Sequence, residues 1–214
     1  MLYDCRTVAD RDRGIAAAVE AVKAGELVVL PTDTVYGIGA DAFTPHAVTA
    51  LLNAKGRGRH MPPPVLVGSR HTLDGLVYSL PKMARELADA FWPGPLTIIV
   101  EHSPSLQWDL GDTGGTVGVR MPLHPVALEV LREVGPMAVS SANKTGQPAA
   151  VTAQEARDQL EYSVRVYLEA GQCPDPVPST IVDVTGDVPR VLRDGAVPLE
   201  KLRDVVPDIL PMGS

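Results

Sequence analysis

The chain reads as a single α/β domain built on a mixed sheet, and three observations predict it. Segments with apolar residues at helical spacing alternate with short apolar runs of strand length. The 214 residues, 45% of them hydrophobic, can enclose one substantial core but leave little room for a second full domain. The 19 glycines and 20 prolines, without any low-complexity tract, imply many tight connections between short elements. The domain is expected to span residues 1–207, with 208–214 as a flexible tail.

The elements follow in order. After Asp10, read as an N-cap, Ile15, Ala18, Val19 and Val22 recur at helical spacing up to Gly25, which stops the helix. Residues 27–30 are a continuous apolar run, a buried strand, and Pro31-Thr32-Asp33-Thr34-Val35-Tyr36-Gly37 is a polar loop. Thr44 and Pro45 supply the N-cap and first position of a second helix that runs to about Lys55 and ends at Gly56. A short strand is expected at 65–67, a helix at 81–91 closed by Trp92-Pro93-Gly94-Pro95, and strands at 96–100 and 116–120. The alternation then gives a helix at 125–134, a strand at 137–139, a helix at 152–160, strands at 164–168 and 180–184, and a last helix at 199–205.

Composition excludes several classes of function. With 19 Lys and Arg against 26 Asp and Glu, the net charge of −7 argues against wrapping nucleic acid or coating an anionic membrane through bulk charge. Any anion site must be local. No window approaches the ~20 apolar residues of a membrane span, and the start has no signal-like apolar stretch. Cys5 and Cys173 match no metal or redox spacing, so a cytoplasmic, reducing setting is expected. Gly37-Ile38-Gly39-Ala40-Asp41-Ala42 matches the dinucleotide fingerprint in letters only, because the expected helix starts at Pro45 and no acidic residue lies near Arg59. There is no P-loop and no G-x-S-x-G turn, and the five histidines form no metal-ligand pair. No metal site is predicted.

What remains is a set of hydroxyl and cation clusters at the ends of expected strands, where ligands of α/β folds commonly sit. Lys55-Gly56-Arg57-Gly58-Arg59 concentrates three cations where a helix meets the Pro62-Pro63-Pro64 turn. It fits a phosphate clamp, or simply a helix end favoured by the dipole. The 31–37 loop gathers two threonines and a tyrosine, and Ser140-Ser141-Ala142-Asn143-Lys144-Thr145-Gly146 adds small polar groups. Arg120 follows Thr116-Val117-Gly118-Val119, and Ser179-Thr180 and Arg193-Asp194-Gly195 complete the set. Each alone is an ordinary loop or salt bridge. Together they describe a pocket suited to phosphates and a carboxylate, working by positioning and charge.

In their shared order these motifs resemble the YrdC-like threonylcarbamoyl-AMP synthases, from about Gly25 to Gly195. The likeness rests on Pro31-Thr32-Asp33-Thr34-Val35-Tyr36-Gly37, Lys55-Gly56-Arg57, Trp92-Pro93-Gly94-Pro95-Leu96-Thr97, Val119-Arg120-Met121-Pro122, Ser141-Ala142-Asn143, Ser179-Thr180-Ile181-Val182-Asp183 and Arg193-Asp194-Gly195. The resemblance implies a twisted mixed parallel and antiparallel sheet with flanking helices. It implies a nucleotidyltransferase that makes threonylcarbamoyl-AMP and pyrophosphate from L-threonine, bicarbonate or CO2, and ATP, with Mg²⁺ accompanying the nucleotide. Thr34, Arg120 and Ser179 would hold threonine. Lys55 and Arg57, the expected catalytic cations, would lie with Arg59 along the triphosphate, and Thr116, Ser141, Asn143 and Arg193 would complete the ATP site. The product would pass to a tRNA threonylcarbamoyl transferase, with at most a weak tRNA contact and no membrane partner. The chain departs from the family pattern at Gly58, where proline is usual, and at Thr145, where serine is common. It is also expected to lack the extra C-terminal domain of longer relatives. Two alternatives are an RNA-binding module of the same fold, disfavoured by charge and the 4% aromatic content, and a carbamoyl-adenylate-forming enzyme, disfavoured by the cysteine count.

Overall fold

A computed structural model describes residues 1–213. In chain order the elements are β1 (Leu2–Asp4), α1 (Val8–Lys23), β2 (Val28–Leu30), β3 (Gly37–Asp41), α2 (Pro45–Lys55) and β4 (Val65–Leu66). Then come α3 (His71–Leu76), α4 (Lys82–Phe91), β5 (Leu96–Glu101), β6 (Thr116–Arg120), α5 (Pro125–Val134) and β7 (Met137–Ser141). Last are α6 (Ala153–Leu160), a single 3-10 turn (Glu161–Ser163), β8 (Val166–Glu169), β9 (Thr180–Asp183), β10 (Arg190–Arg193) and α7 (Leu199–Val205). The strands join into one sheet in the order β1-β8-β2-β3-β7-β4-β6-β5-β9-β10. It is mixed, as expected: β1, β8 and β2 run parallel, β2, β3, β7 and β4 alternate, β4 pairs parallel with β6, and β6 pairs antiparallel with β5.

Apolar residues of the helices close over the sheet in three buried clusters. α1 and α5 cover β2 and β7 through Ala18, Val22, Val126 and Val130. α2 and α6 pack around Ile38, Leu51, Ala156 and Leu160, while α4 and α7 meet β5 and β9 around Leu87, Ile98, Val182 and Leu202. No helix among the described residues is long and apolar enough to cross a membrane.

Several boundaries differ from the sequence reading for local reasons. α1 is capped by Thr7, not Asp10: the Thr7 hydroxyl accepts from the Asp10 amide (3.3 Å), and Asp10 sits in the first turn, where the helix dipole favours a carboxylate. The strand β3 lies where the sequence pattern shows a loop end and a glycine motif. Gly37 and Gly39 are there because a Cβ would come within 2.6 Å of Val139 and 2.7 Å of Met137 on the paired β7. β1, α3 and β10 are additional short elements, β7 continues to Ser141, and β8 begins at Val166 and ends at Glu169. The expected loose tail from Asp208 is corrected at Ile209 and Leu210. Ile209 is fully buried, and Leu210 donates to the Pro189 carbonyl and accepts from the Val191 amide, both at 2.9 Å. An apolar side chain and an open strand edge draw this segment onto β10.

Candidate active site

One end of the sheet carries a cavity of about 450 Å³, within the range of small-molecule sites. Its walls come from the β2–β3 loop (Thr32, Thr34), the segment after α2 (Arg57, Met61, Pro62), Thr97 on β5, Arg120 at the end of β6, Ser140 and Ser141 at the end of β7, Ser179 before β9, and Arg193 at the end of β10. The wall therefore offers hydroxyls and three guanidiniums, and no carboxylate or imidazole lines it.

Arg120 is the most constrained of the three, only 6% exposed. Its Nε donates to the Gly94 carbonyl (3.1 Å), Nη1 to Thr34 Oγ1 (3.1 Å) and Nη2 to Asp33 Oδ1 (2.6 Å). The Gly94 carbonyl is presented by the turn between α4 and β5, itself tied to β6 by the Gly94 amide on the Met121 carbonyl (2.8 Å). A guanidinium has five N–H donors in a planar fork, so one on each Nη is left for a ligand. Burial lowers the Arg120 pKa and Asp33 opposes that, so the group stays a cation.

The hydroxyls are held just as firmly. Thr32 Oγ1 donates to the Val35 carbonyl (2.6 Å) and accepts from the Thr34 amide (3.1 Å), and it lies 3.1 Å from Thr34 Oγ1. Because the Thr32 proton goes to Val35, Thr34 donates across that contact while accepting from Arg120. Ser179 Oγ lies 2.9 Å from Thr97 Oγ1 and accepts from Arg193 Nη2 (2.9 Å), and Arg193 also grips the Ser179 carbonyl through Nε (3.0 Å) and Nη2 (2.7 Å). Gly195 allows this approach, since a Cβ there would stand 2.4 Å from the Pro178 carbonyl oxygen and 2.5 Å from Ser179 C. Arg57 donates to Ser140 Oγ (3.2 Å), and its buried Nε has no protein partner.

The structure thus brings Thr34, Arg57, Arg120, Ser141, Ser179 and Arg193 onto one wall, and leaves four other predicted residues off it. Lys55 is 1% exposed, and its ammonium donates to the Ser141 and Asn143 carbonyls, so it braces the end of β7 from behind. Burial, then Arg57, pushes its pKa down to about 8. Asn143 is turned away from the cavity, donating from Nδ2 to the Lys144 and Gln147 carbonyls, both at 2.9 Å. Arg59 is exposed and paired with Asp109 (2.8 Å) and Asp112 (3.5 Å), carboxylates that the local sequence did not associate with it. Thr116 lines an adjoining recess of about 160 Å³ with Thr97 and Ile181, and its hydroxyl donates to the Thr113 carbonyl (3.0 Å). Tyr36, the third hydroxyl of the 31–37 loop, points into the fold. Its oxygen is 2.7 Å from the Gly171 carbonyl and 2.9 Å from Glu169 Oε1. Sequence reasoning missed Asp33 and Thr97 as members of the site, although both lie in the quoted motifs.

The site is thus an α/β domain's cavity walled by three arginines and a set of hydroxyls, each fixed by the fold. Residues 20–195 match the model of the Sua5/YciO/YrdC family, described as "Telomere recombination", and the chain belongs to that family. It is 63% identical over 204 residues to a Mycobacterium tuberculosis protein whose name places it among the threonylcarbamoyl-AMP synthases, covering 95% of this chain and 94% of that one. It is 36% identical over 198 residues to the threonylcarbamoyl-AMP synthase of Pyrococcus abyssi, covering 91% of this chain and 58% of that one. The crystal structure of P. abyssi Sua5 complexed with L-threonine superposes with a TM-score of 0.92 at 34% identity, over 99% of this chain and 62% of that one. The chain spans about three fifths of the P. abyssi protein.

Proposed function

We propose that this chain joins L-threonine, bicarbonate or CO2, and ATP into threonylcarbamoyl-AMP and pyrophosphate. The observation that carries the reading is the Arg120 fork, buried and held on three sides with one N–H on each Nη left for a ligand. That pair of donors suits the carboxylate of an amino acid. Thr34 and Ser179 flank it, and a site that hydrogen-bonds the threonine hydroxyl discriminates against amino acids lacking one. Arg57 and Arg193 lie on the same wall and receive the phosphates. When a carbamate oxygen attacks the α-phosphorus and pyrophosphate leaves, these cations offset the repulsion between anions. Lys55 and Asn143 act on this reading by fixing the end of β7, with Ser141 as the group that meets the nucleotide.

Among the described residues no three His, Cys, Asp or Glu side chains gather to hold a metal ion, and the wall has no carboxylate. Mg²⁺ accordingly enters as part of the MgATP substrate, carried by the phosphates. The adenylate is then handed to a tRNA-modifying transferase, in the cytoplasm, where the free thiols Cys5 and Cys173 are at home. Mass spectrometry of the products formed with threonine, bicarbonate and MgATP, with serine in place of threonine as control, tests the reading. A threonine-dependent adenylate and pyrophosphate are expected. Folded protein that binds ATP yet forms neither would overturn it.

A further inference from the structure

We infer that Asp33 is a positioning residue for threonine recognition, acting through Arg120. The inference rests on the reading of the site given above. Asp33 is not on the cavity wall, yet it lies directly behind the side chain that is. One carboxylate oxygen does two jobs: Oδ1 accepts from Arg120 Nη2 at 2.6 Å and from the Leu123 amide at 2.9 Å. The second bond anchors the carboxylate to the backbone between β6 and α5, so the β2–β3 loop, the end of β6 and the start of α5 share one fixed point.

Asp33 Oδ2 is buried without a protein partner, beside a His124 whose Nδ1 is also buried and unpaired. A carboxylate placed for stability alone would have both oxygens satisfied, because leaving a buried acceptor unpaired destabilises the fold. The arrangement makes sense if its purpose is the orientation of the Arg120 fork. Of the three bonds that hold the guanidinium, those to Gly94 and Thr34 fix Nε and Nη1, and only Asp33 fixes Nη2. Without it the guanidinium plane can tilt about the line through Nε and Nη1, which swings the free N–H of Nη2 out of line with a bound carboxylate.

Calorimetric titration of L-threonine and, separately, of MgATP into wild type, Asp33→Ala and Asp33→Asn tests the assignment. Asp33→Ala should weaken threonine at least tenfold while MgATP affinity stays within threefold. Asp33→Asn should recover most of the loss, because its amide oxygen can accept both bonds. Unchanged threonine affinity in Asp33→Ala, or parallel loss of both ligands, would overturn the inference. If Asp33→Ala does not fold, Asp33→Glu carries the test. It keeps the charge but presses it one methylene further onto Arg120, and threonine must weaken at least fivefold with MgATP unchanged. Equal threonine affinity in that variant likewise overturns the assignment. Wild-type protein that binds no threonine is a different result, and overturns the reading of the site itself.

Discussion

Lys55 is a cation buried among backbone carbonyls with no carboxylate to pair with. Its folded pKa of about 8 lies below the ordinary 10.5 because burial penalises the charged form. Below pH 8 both folded and unfolded chains hold the proton, and the penalty is fully present. Between pH 8 and 10.5 the unfolded chain binds more protons, so the free energy of unfolding rises with pH. Lys55→Met has no such group, and wild type should gain on it by no more than about 3 kcal/mol across that window. Urea midpoints of the two proteins at the two ends of the window measure the difference. A constant difference would mean that the ammonium is better solvated than its burial implies. The sequence showed Lys55 as a cation at a helix end but not its direction, because that depends on carbonyls 86 and 88 residues away. Arg59 illustrates the same limit, since Asp109, which it grips through both Nη atoms, lies 50 residues further on.

Elements built on local rules were legible. α2 was readable from Pro45 at its start and Gly56, in the left-handed conformation (φ 63°), at its end. Where a short element owes its existence to a distant neighbour, local rules fail. β10 is a four-residue strand with mostly exposed side chains, and it forms because β9 lies on one side and Leu210 bridges on the other. Thr7→Ala removes the hydroxyl that caps α1 and should cost about 1 kcal/mol, read from the urea midpoint, with ligand affinity unchanged. Gly195→Ala places a methyl against the backbone at Pro178 and Ser179 and must push the end of β10 outward. Arg193 then loses its grip on Ser179, so MgATP should bind at least tenfold more weakly. Affinity equal to wild type would show that Arg193 does not depend on that contact.

For the whole molecule, the alternation of apolar runs made the α/β class legible, but no sequence pattern gave the order of ten strands in which β7 lies between β3 and β4. That order brings seven parts of the chain to one cavity, whose lining holds no carboxylate, imidazole, amine or thiol and, of Tyr36, not the hydroxyl, which turns into the fold. Lys55 donates to carbonyls, and Tyr36 is tied to β8 and pushed up by burial. Cys173 is buried and pushed up to about 11, while His124, pushed down by burial, stands behind Asp33. A molecule of net charge −7 thus presents arginines and hydroxyls to its ligands and no proton acceptor. Threonine must lose its ammonium proton before nitrogen can bond to CO2, so the proton goes to solvent or bicarbonate. At limiting threonine, and with dissolved CO2 held constant across the series, the rate should therefore climb between about pH 6.5 and 8.5, tracking the free amine of the substrate. No bend from an imidazole base is expected below pH 8, where Lys55 begins to lose its proton. Initial rates of pyrophosphate release across it, for wild type and His124→Gln, measure this. A plateau that begins near pH 7 and vanishes in His124→Gln would identify an imidazole base and defeat the expectation.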